Sequence, residues 1–202
     1  MQYITALELL HVHLSPSSYV EIGCREGYSL SLARCPSIAI DPDFSINQPL
    51  KAPTRIFKEA SDAFFAHRDL TDLINGPVDL AFVDGMHNAE FALRDFLNLE
   101  RHAHSGSVII IDDILPEDIS WVSRVRESKA WTGDVYKLIP LLRTLRPDLT
   151  VDVFDVEMKG LAVIQNLNPT FQMSEEDLSK HESYLKSSES NLASVEEIRK
   201  CI

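Results

Sequence analysis

Three aspartates and a histidine carry the strongest chemical signal in the chain. Val78–His87 reads V-D-L-A-F-V-D-G-M-H, and Ser107–Asp113 reads S-V-I-I-I-D-D. Each is an apolar run too short for a helix, rich in Val, Ile and Phe and ended by carboxylates, which is how a buried parallel strand reads. In an open α/β sheet the ligand crevice lies beyond the carboxyl ends of the strands. The pattern therefore sends Asp84, Asp112 and Asp113 from two strand ends into one crevice, with His87 on the turn beside them. Three carboxylates on one rim repel one another unless something positive sits between them. A hard divalent cation such as Mg²⁺, which takes oxygen ligands, meets that need.

A second group of residues has the pattern of a nucleotide site. Tyr19–Gly27 reads Y-V-E-I-G-C-R-E-G, a short strand entering a glycine turn, with Tyr28–Arg34 expected to open a helix. Such a turn lets the backbone approach a ligand closely, and a helix N-terminus there favours negative charge. Gly23 and Gly27 sit four residues apart. Asp41 ends the next strand, S-I-A-I-D, where an acid can accept both hydroxyl hydrogens of a ribose. A dinucleotide site would read G-x-G-x-x-G, but Arg25 holds the middle position, and Glu21 and Glu26 crowd the turn with negative charge. A cationic or zwitterionic ligand suits it better than a pyrophosphate. S-adenosylmethionine carries an ammonium, a sulfonium and a ribose.

The elements that must position these residues alternate. Tyr3, Leu7, Leu10 and Leu14 repeat at helical spacing, and Ser15-Pro16-Ser17-Ser18 breaks that helix. After the two strands already described, Arg55–Lys58 reads as a third short strand, followed by a helix over Ser61–Phe65 capped by Ser61 or Asp62. Val78–Val83 is a fourth strand. Ala89, Ala92, Leu93, Phe96, Leu99 and Ala103 mark a helix that Ser105-Gly106 should end, and Val108–Ile111 is a fifth strand. Residues 116–128 read as one more helix. Gly133-Asp134 should cap another, with Val135, Leu138, Leu142 and Leu145 on one face and a kink at Pro140. Leu149–Val156 and Gly160–Gln165 are joined only by Glu157-Met158-Lys159, which permits an antiparallel pair and forbids a parallel crossover. The expected fold is α/β: a Rossmann-like, doubly wound, seven-stranded sheet, parallel with a C-terminal antiparallel strand pair. Residues 1–17 form an N-terminal helix, 18–168 a single domain, and 169–202 a polar helical tail of loose surface helices with caps at Ser174 and Ser194.

Composition narrows the partners. The 202 residues are 45% hydrophobic, and 31 acidic against 19 basic residues give a net charge of −12. A basic face for phosphates is missing, so neither nucleic acid nor an anionic membrane surface is an expected partner. Cys24, Cys35 and Cys201 are an odd number without metal-ligand spacing, which suggests a reducing, cytosolic setting rather than a disulfide framework. No apolar run approaches the ~18 residues of a membrane span. His11, His13, His102 and His104 form two H-x-H pairs without a third ligand, and read as surface or packing residues.

The motifs together resemble a known group. E-I-G-C-R-E-G followed by I-A-I-D looks like the first two motifs of the class I S-adenosylmethionine-dependent methyltransferases. F-V-D-G-M-H-N-A-E-F-A-L-R-D-F and S-G-S-V-I-I-I-D-D are similar to the metal-dependent O-methyltransferases that act on catechols and macrolide sugars. With W-T-G-D-V-Y-K-L-I-P at Trp131–Pro140, the chain most resembles the methyltransferase domain 24 proteins over roughly Ser18–Asn168. The resemblance implies that Glu21, Gly23 and Gly27 surround the methionine part of the cofactor and Asp41 holds its ribose. It places Ser61 and Asp62 at the adenine, and Asp84, Asp112 and Asp113 at the metal, with Asp84 also beside the cofactor. His87 falls where catechol-type enzymes have a lysine base and macrolide-sugar enzymes a histidine. It would take the proton of a small hydroxylated acceptor, such as a catechol or a sugar diol, polarised by Mg²⁺. Trp131, Tyr136 and Lys137 are candidates for the acceptor pocket, with Trp131 equally plausible in the core. Two other readings stand beside this one: a methyltransferase-like domain that binds S-adenosylmethionine or its demethylated product without turnover, and a nicotinamide-dependent oxidoreductase. A homodimer is the commonest closed assembly for such a chain.

Overall fold

Seven apolar runs pair into one sheet with the order β3-β2-β1-β4-β5-β7-β6. The strands are β1 Tyr19–Ile22, β2 Ser37–Ile40, β3 Thr54–Phe57, β4 Val78–Val83, β5 Ala103–Ile111, β6 Thr150–Phe154 and β7 Leu161–Gln165. This computed structural model describes residues 1–127, 130–157, 159–188 and 192–200. Strands β1 to β5 run parallel, β7 lies antiparallel against β5, and β6 antiparallel against β7. The doubly wound sheet with its antiparallel finish is therefore the architecture the sequence implied.

Topology and register decide where the site lies. The chain winds outward from β1 through β2 and β3, then returns to place β4 on the other side of β1. That reversal opens a crevice between the carboxyl ends of β1 and β4. Ile22 is level with Val83, and Val83 with Ile111. The next residues, Gly23, Asp84 and Asp112, consequently emerge side by side on one rim.

Successive strand residues point to opposite faces, and the two faces build two cores. Val20, Ile22, Ile40, Val83, Ile109 and Ile111 face one layer. Helices α2 (Ser61–His67), α3 (Leu70–Ile74), α4 (Ala89–Arg101), α5 (Leu138–Leu145), α6 (Glu175–Ser187) and α7 (Leu192–Arg199) supply it with Phe64, Leu70, Phe96, Ile139, Leu185 and Val195. Tyr19, Leu80, Phe82, Ile110 and Val163 face the other, covered by Ala6 and Leu7 of α1 (Tyr3–Leu14) and by residues 30–35. Among the described residues, no helix is long and apolar enough to cross a membrane.

Several local expectations need correction. Tyr28–Arg34 forms only a three-residue 3-10 turn, Leu30–Leu32. Pro36 disfavours helical geometry at Cys35, and the Arg34 guanidinium satisfies the Ser31 and Leu32 carbonyls that a longer helix would have used. Neither Ser61 nor Asp62 caps α2: Ala60 occupies the cap position without a side-chain bond. Helix α4 ends at Arg101, and Ser105-Gly106 lies inside β5. The Ser107 hydroxyl donates to the Val78 carbonyl at 2.6 Å, and the β4–β5 register shifts between Val78 and Leu80 to admit these polar residues. Within 116–127 only Ile119–Trp121 is helical, again as a 3-10 turn, because Asp118 takes the Ser120 N–H and Arg124 is drawn to Glu90 and Asp134. Pro140 lies in the first turn of α5, where its missing N–H removes little, and the chain enters that helix through a 3-10 turn, Val135–Lys137.

The C-terminal segment is not a loose surface appendage. Leu185, Val195 and Ile198 are buried in the main core. The Ser174 hydroxyl accepts the Asp177 N–H at 3.0 Å, the cap its position implied, and Arg199 pairs with Asp155 at 2.7 Å. Helix α6 is amphipathic, but a single buried leucine in a thirteen-residue polar helix leaves a faint periodic signal. Residue 128, Met158, the Ser194 side chain and Cys201 lie outside what is described.

Candidate active site

The rim expected from the strand ends is present, and His87 is wedged into it. Its Nδ1 is 2.6 Å from Asp113 Oδ2, and its Nε2 is 3.3 Å from Asp84 Oδ1. The imidazole stacks on the Trp131 indole, 4.7 Å between centroids and 4° between planes. Lys159, from the β6–β7 turn, reaches Asp113 Oδ1 at 3.0 Å. Asp113 adopts φ +64°, an uncommon left-handed conformation for a residue with a Cβ. From that backbone its carboxylate meets His87.

These contacts order the charges. Burial opposes the imidazolium, but the Asp113 and Asp84 carboxylates outweigh it and hold the His87 pKa up at about 10. The imidazole is therefore charged at neutral pH in this arrangement. Burial also raises Asp113, yet His87 and Lys159 prevail and keep it below the usual carboxylate range. Asp112 has no such partners. Burial, with Asp113 and Asp84 beside it, pushes its carboxyl well up, and its Oδ1 has no hydrogen bond. Asp84 is raised as well, by burial first and with His87 opposing.

The donor set fits a divalent cation, though not in the grouping first expected. Atoms of Asp84, His87 and Asp113 lie within 4.8 Å of one another. Asp112 is not among them; it lines a cavity of about 10 Å³ and its Oδ1 has no hydrogen bond, the cavity having room for about one water. Two carboxylates and an imidazole suit a first-row transition ion; with Asp112 rotated in, the oxygens suit Mg²⁺.

Asp95 lines the same cavity, and the sequence reading passed over it. It interrupts the apolar stripe of α4 between Ala92 and Phe96, is 2% exposed, and burial pushes its carboxyl up to about 7. A carboxylate inside an otherwise apolar helical stripe was the signal available.

The glycine turn is built as much by packing as for a ligand. A Cβ on Gly23 would sit 2.0 Å from the Asp84 carbonyl oxygen, so only glycine lets the β1 turn lie against the end of β4. Asp41 accepts the Arg25 N–H and the Asp43 N–H, both at 2.7 Å, and so braces the turn. Gly27 takes φ +84° against Ile46. Glu21 is fully enclosed, bonded by the Tyr19 hydroxyl at 2.7 Å and the Ser29 hydroxyl at 2.6 Å. Ser61 stands beside Asp95. Asp62 is held by Arg94 through two bonds of 2.9 and 2.8 Å.

Burial pushes Glu21 up to about 8, the Ser29 and Tyr19 bonds opposing. Between its ordinary value of 4.5 and 8 the folded chain binds more protons here than the unfolded chain. Stability from this group is complete below the lower value and is lost as pH rises through the upper one. Across that window the loss is on the order of 5 kcal/mol. Glu21→Gln is expected to flatten the fall of Tm between pH 5 and 8; an unchanged slope would locate the effect elsewhere.

Asp134 holds the His87 turn from below, a role the sequence placed elsewhere. It was expected to cap its own helix, yet its side chain makes no such bond. Its Oδ1 accepts the N–H of Ala89, the first residue of α4, at 2.9 Å, and its own N–H donates to the His87 carbonyl at 3.1 Å. Oδ2 takes Arg124 at 2.7 Å and Lys137 at 3.1 Å. Lys137 continues to the Ser188 carbonyl at 2.6 Å, so this charge network links the histidine turn to the end of α6. Lys137 and Tyr136 are buried, while Trp131 stands against His87 at the rim.

Comparison with known proteins gives this geometry a context. Residues 20–114 match the family profile of a methyltransferase domain. Over that span the chain is similar to a methyltransferase domain. Its fold is shared with an O-methyltransferase of Streptomyces achromogenes involved in tomaymycin synthesis, solved in complex with S-adenosylmethionine (TM-score 0.61, 16% identity, 82% of this chain and 80% of that one). It is shared too with an O-methyltransferase of Bacillus cereus in complex with S-adenosylhomocysteine (TM-score 0.56, 16% identity, 80% and 79%). An S-adenosylhomocysteine-bound methyltransferase of Podospora anserina aligns similarly (TM-score 0.55, 15% identity, 82% and 78%). Identities this low establish the fold. No curated protein matches the chain in sequence. The profile spans β1 to the residue after Asp113, so the glycine turn, Asp41 and the whole acidic rim fall inside the matched span.

Proposed function

We propose that the chain is an S-adenosylmethionine-dependent O-methyltransferase that uses a divalent metal and acts on a small hydroxylated acceptor. The observation that carries this reading is the convergence of Asp84, His87 and Asp113 within 4.8 Å at the strand ends, beside the glycine turn on β1. Fold relatives solved with S-adenosylmethionine or S-adenosylhomocysteine bound support the same donor here.

Gly23, Gly27 and Asp41 would receive the donor, Asp41 through lone pairs left over from bracing the turn. Asp84 and Asp113, with Asp112 lining the same cavity, would hold the metal. A bound cation would polarise the acceptor hydroxyl and fix it for in-line attack. The acceptor oxygen forms its bond to the methyl carbon as the carbon–sulfur bond breaks; the hydroxyl proton goes to His87, and the sulfonium leaves as a neutral thioether. His87 can act as base only when neutral. Carboxylates whose charge is neutralised by a cation no longer hold the imidazole protonated, so metal occupancy and base function are coupled through Asp84 and Asp113. Trp131 fixes the plane of the ring. Two adjacent acceptor oxygens, as in a catechol or a sugar diol, would suit a metal with open positions.

Calorimetric titration with S-adenosylhomocysteine, with and without Mg²⁺ or Mn²⁺ and with NAD⁺ in parallel, tests the reading. Binding of the homocysteine product supports it; NAD⁺ in its place would restore the oxidoreductase alternative. A second reading, cofactor binding without turnover, draws on the tight closure of the rim around His87. Demethylated product accumulating with any diol or catechol would end it. Once an acceptor is found, His87→Gln is expected to lower kcat about 10²-fold, with S-adenosylhomocysteine affinity unchanged. Wild-type kcat in that variant would remove His87 as the base.

A further inference from the structure

Lys159 is the one ammonium among the described residues that touches the acidic rim, and nothing in the methyltransferase pattern above assigns it a part. Its position is built rather than incidental. The Leu115 N–H donates to the Lys159 carbonyl at 2.5 Å, stitching the β6–β7 turn to the segment just past Asp113. Gly160 takes φ +70°, and a Cβ there would sit 2.6 Å from the Leu115 side chain. Ile114 and Leu115 are fully buried, so the backbone beneath Lys159 is anchored on the core. From this anchor the side chain, about a third exposed, extends to Asp113 Oδ1 at 3.0 Å. His87 occupies the other oxygen at 2.6 Å. Both oxygens of Asp113 thus lie within ion-pair distance of a cationic nitrogen, one from each side of the rim.

Asp84 and Asp113 face the imidazole of His87, and Asp113, with Asp112 and Asp84 acting at longer range, faces the ammonium of Lys159. A divalent ion that took Asp113 as a ligand would share that carboxylate with an ammonium in contact with it. Like charges that close repel strongly, less so where water reaches them. The flexible lysine stem, with its head already part-solvated, can carry the charge outward.

We propose that Lys159 is a built-in counter-ion of the metal site: it holds Asp113 while no ion is bound, and must release it when one binds, so that it sets the affinity of the site for divalent cations. This inference rests on the metal-dependent reading above. The same lysine lets the rim fold without an ion and makes ion binding weaker and exchangeable.

The test is calorimetric titration of Mn²⁺ into the whole chain, as wild type, Lys159→Gln and Lys159→Arg, with an Asp84→Asn, Asp113→Asn double variant as the control for site binding. Lys159→Gln is expected to bind Mn²⁺ roughly tenfold more tightly, and Lys159→Arg to stay near wild type. The Tm of Lys159→Gln should also rise more steeply with added Mn²⁺ than that of the wild type, a readout that survives even a variant poorly folded without the ion. Equal or weaker binding by Lys159→Gln, with the wild type binding normally, would overturn the counter-ion role and leave the metal reading standing. No site binding by any variant would overturn both.

Discussion

Arg146→Ala is expected to destabilise the chain by about 3–5 kcal/mol, lowering Tm by roughly 10 °C in thermal unfolding. Arg146 is 2% exposed and Glu100 is 1% exposed. Their guanidinium and carboxylate meet in two parallel bonds of 2.7 and 2.9 Å, and the same carboxylate accepts the Asn168 N–H at 3.0 Å. Phe171 lies over the guanidinium at 3.8 Å. Removing the arginine leaves a buried carboxylate with one backbone donor, and such an orphaned charge costs far more than the pair contributes. Neutralising both partners should therefore recover most of the loss: Arg146→Met with Glu100→Gln keeps the volume and the acceptor for Asn168. If the double variant is as unstable as the single one, lost packing rather than the stranded charge is responsible.

That pair was invisible in the sequence for the same reason that the rim was visible. Asp84 and Asp112-Asp113 stand out because each ends an apolar run of four residues, and the strand period makes a terminating acid conspicuous. Glu90, Asp95 and Glu100 lie on an amphipathic helix, where a carboxylate every few residues is what a solvated face also shows. Only the tertiary fold reveals that these point inward, to Arg124, to the rim cavity and to Arg146. The order of the strands followed from alternating patterns and short connections. The helix after the glycine turn did not form, nor did the one expected over 116–128 among its described residues, because proline, Asp118 and a distant arginine contact outweighed local propensity. His87 and Asp84 were read as base and ligand side by side; that the histidine would lie between two of the carboxylates depends on the left-handed backbone at Asp113, which no residue pattern announces. Lys159 was read only as part of a short turn, although that turn aims it at the rim.

Asp84→Asn is expected to lower methyl transfer by about 10³-fold or more, roughly 4 kcal/mol of barrier, without lowering stability. The two halves of that expectation separate function from structure. Asp84 ends β4 at the crevice, faces His87 Nε2 at 3.3 Å, and shares the rim with Asp113. Its carboxyl is raised, by burial and then by Asp113 against the opposing pull of His87, so the folded chain disfavours its ionised form. A folded pKa above the unfolded one means that this group's contribution falls as pH rises past the ordinary carboxylate value. At neutral pH an isosteric neutral amide should therefore leave Tm the same or raise it. A residue whose charge works against the fold, and whose removal spares the fold while abolishing turnover, is held for its chemistry. The measurement is paired: Tm and S-adenosylhomocysteine affinity for integrity, then initial rate at saturating donor and Mn²⁺ for function. Full activity in a stable variant would sink the metal-assisted mechanism. A lower Tm with activity falling only in proportion to the folded fraction would make Asp84 a structural partner of His87 instead.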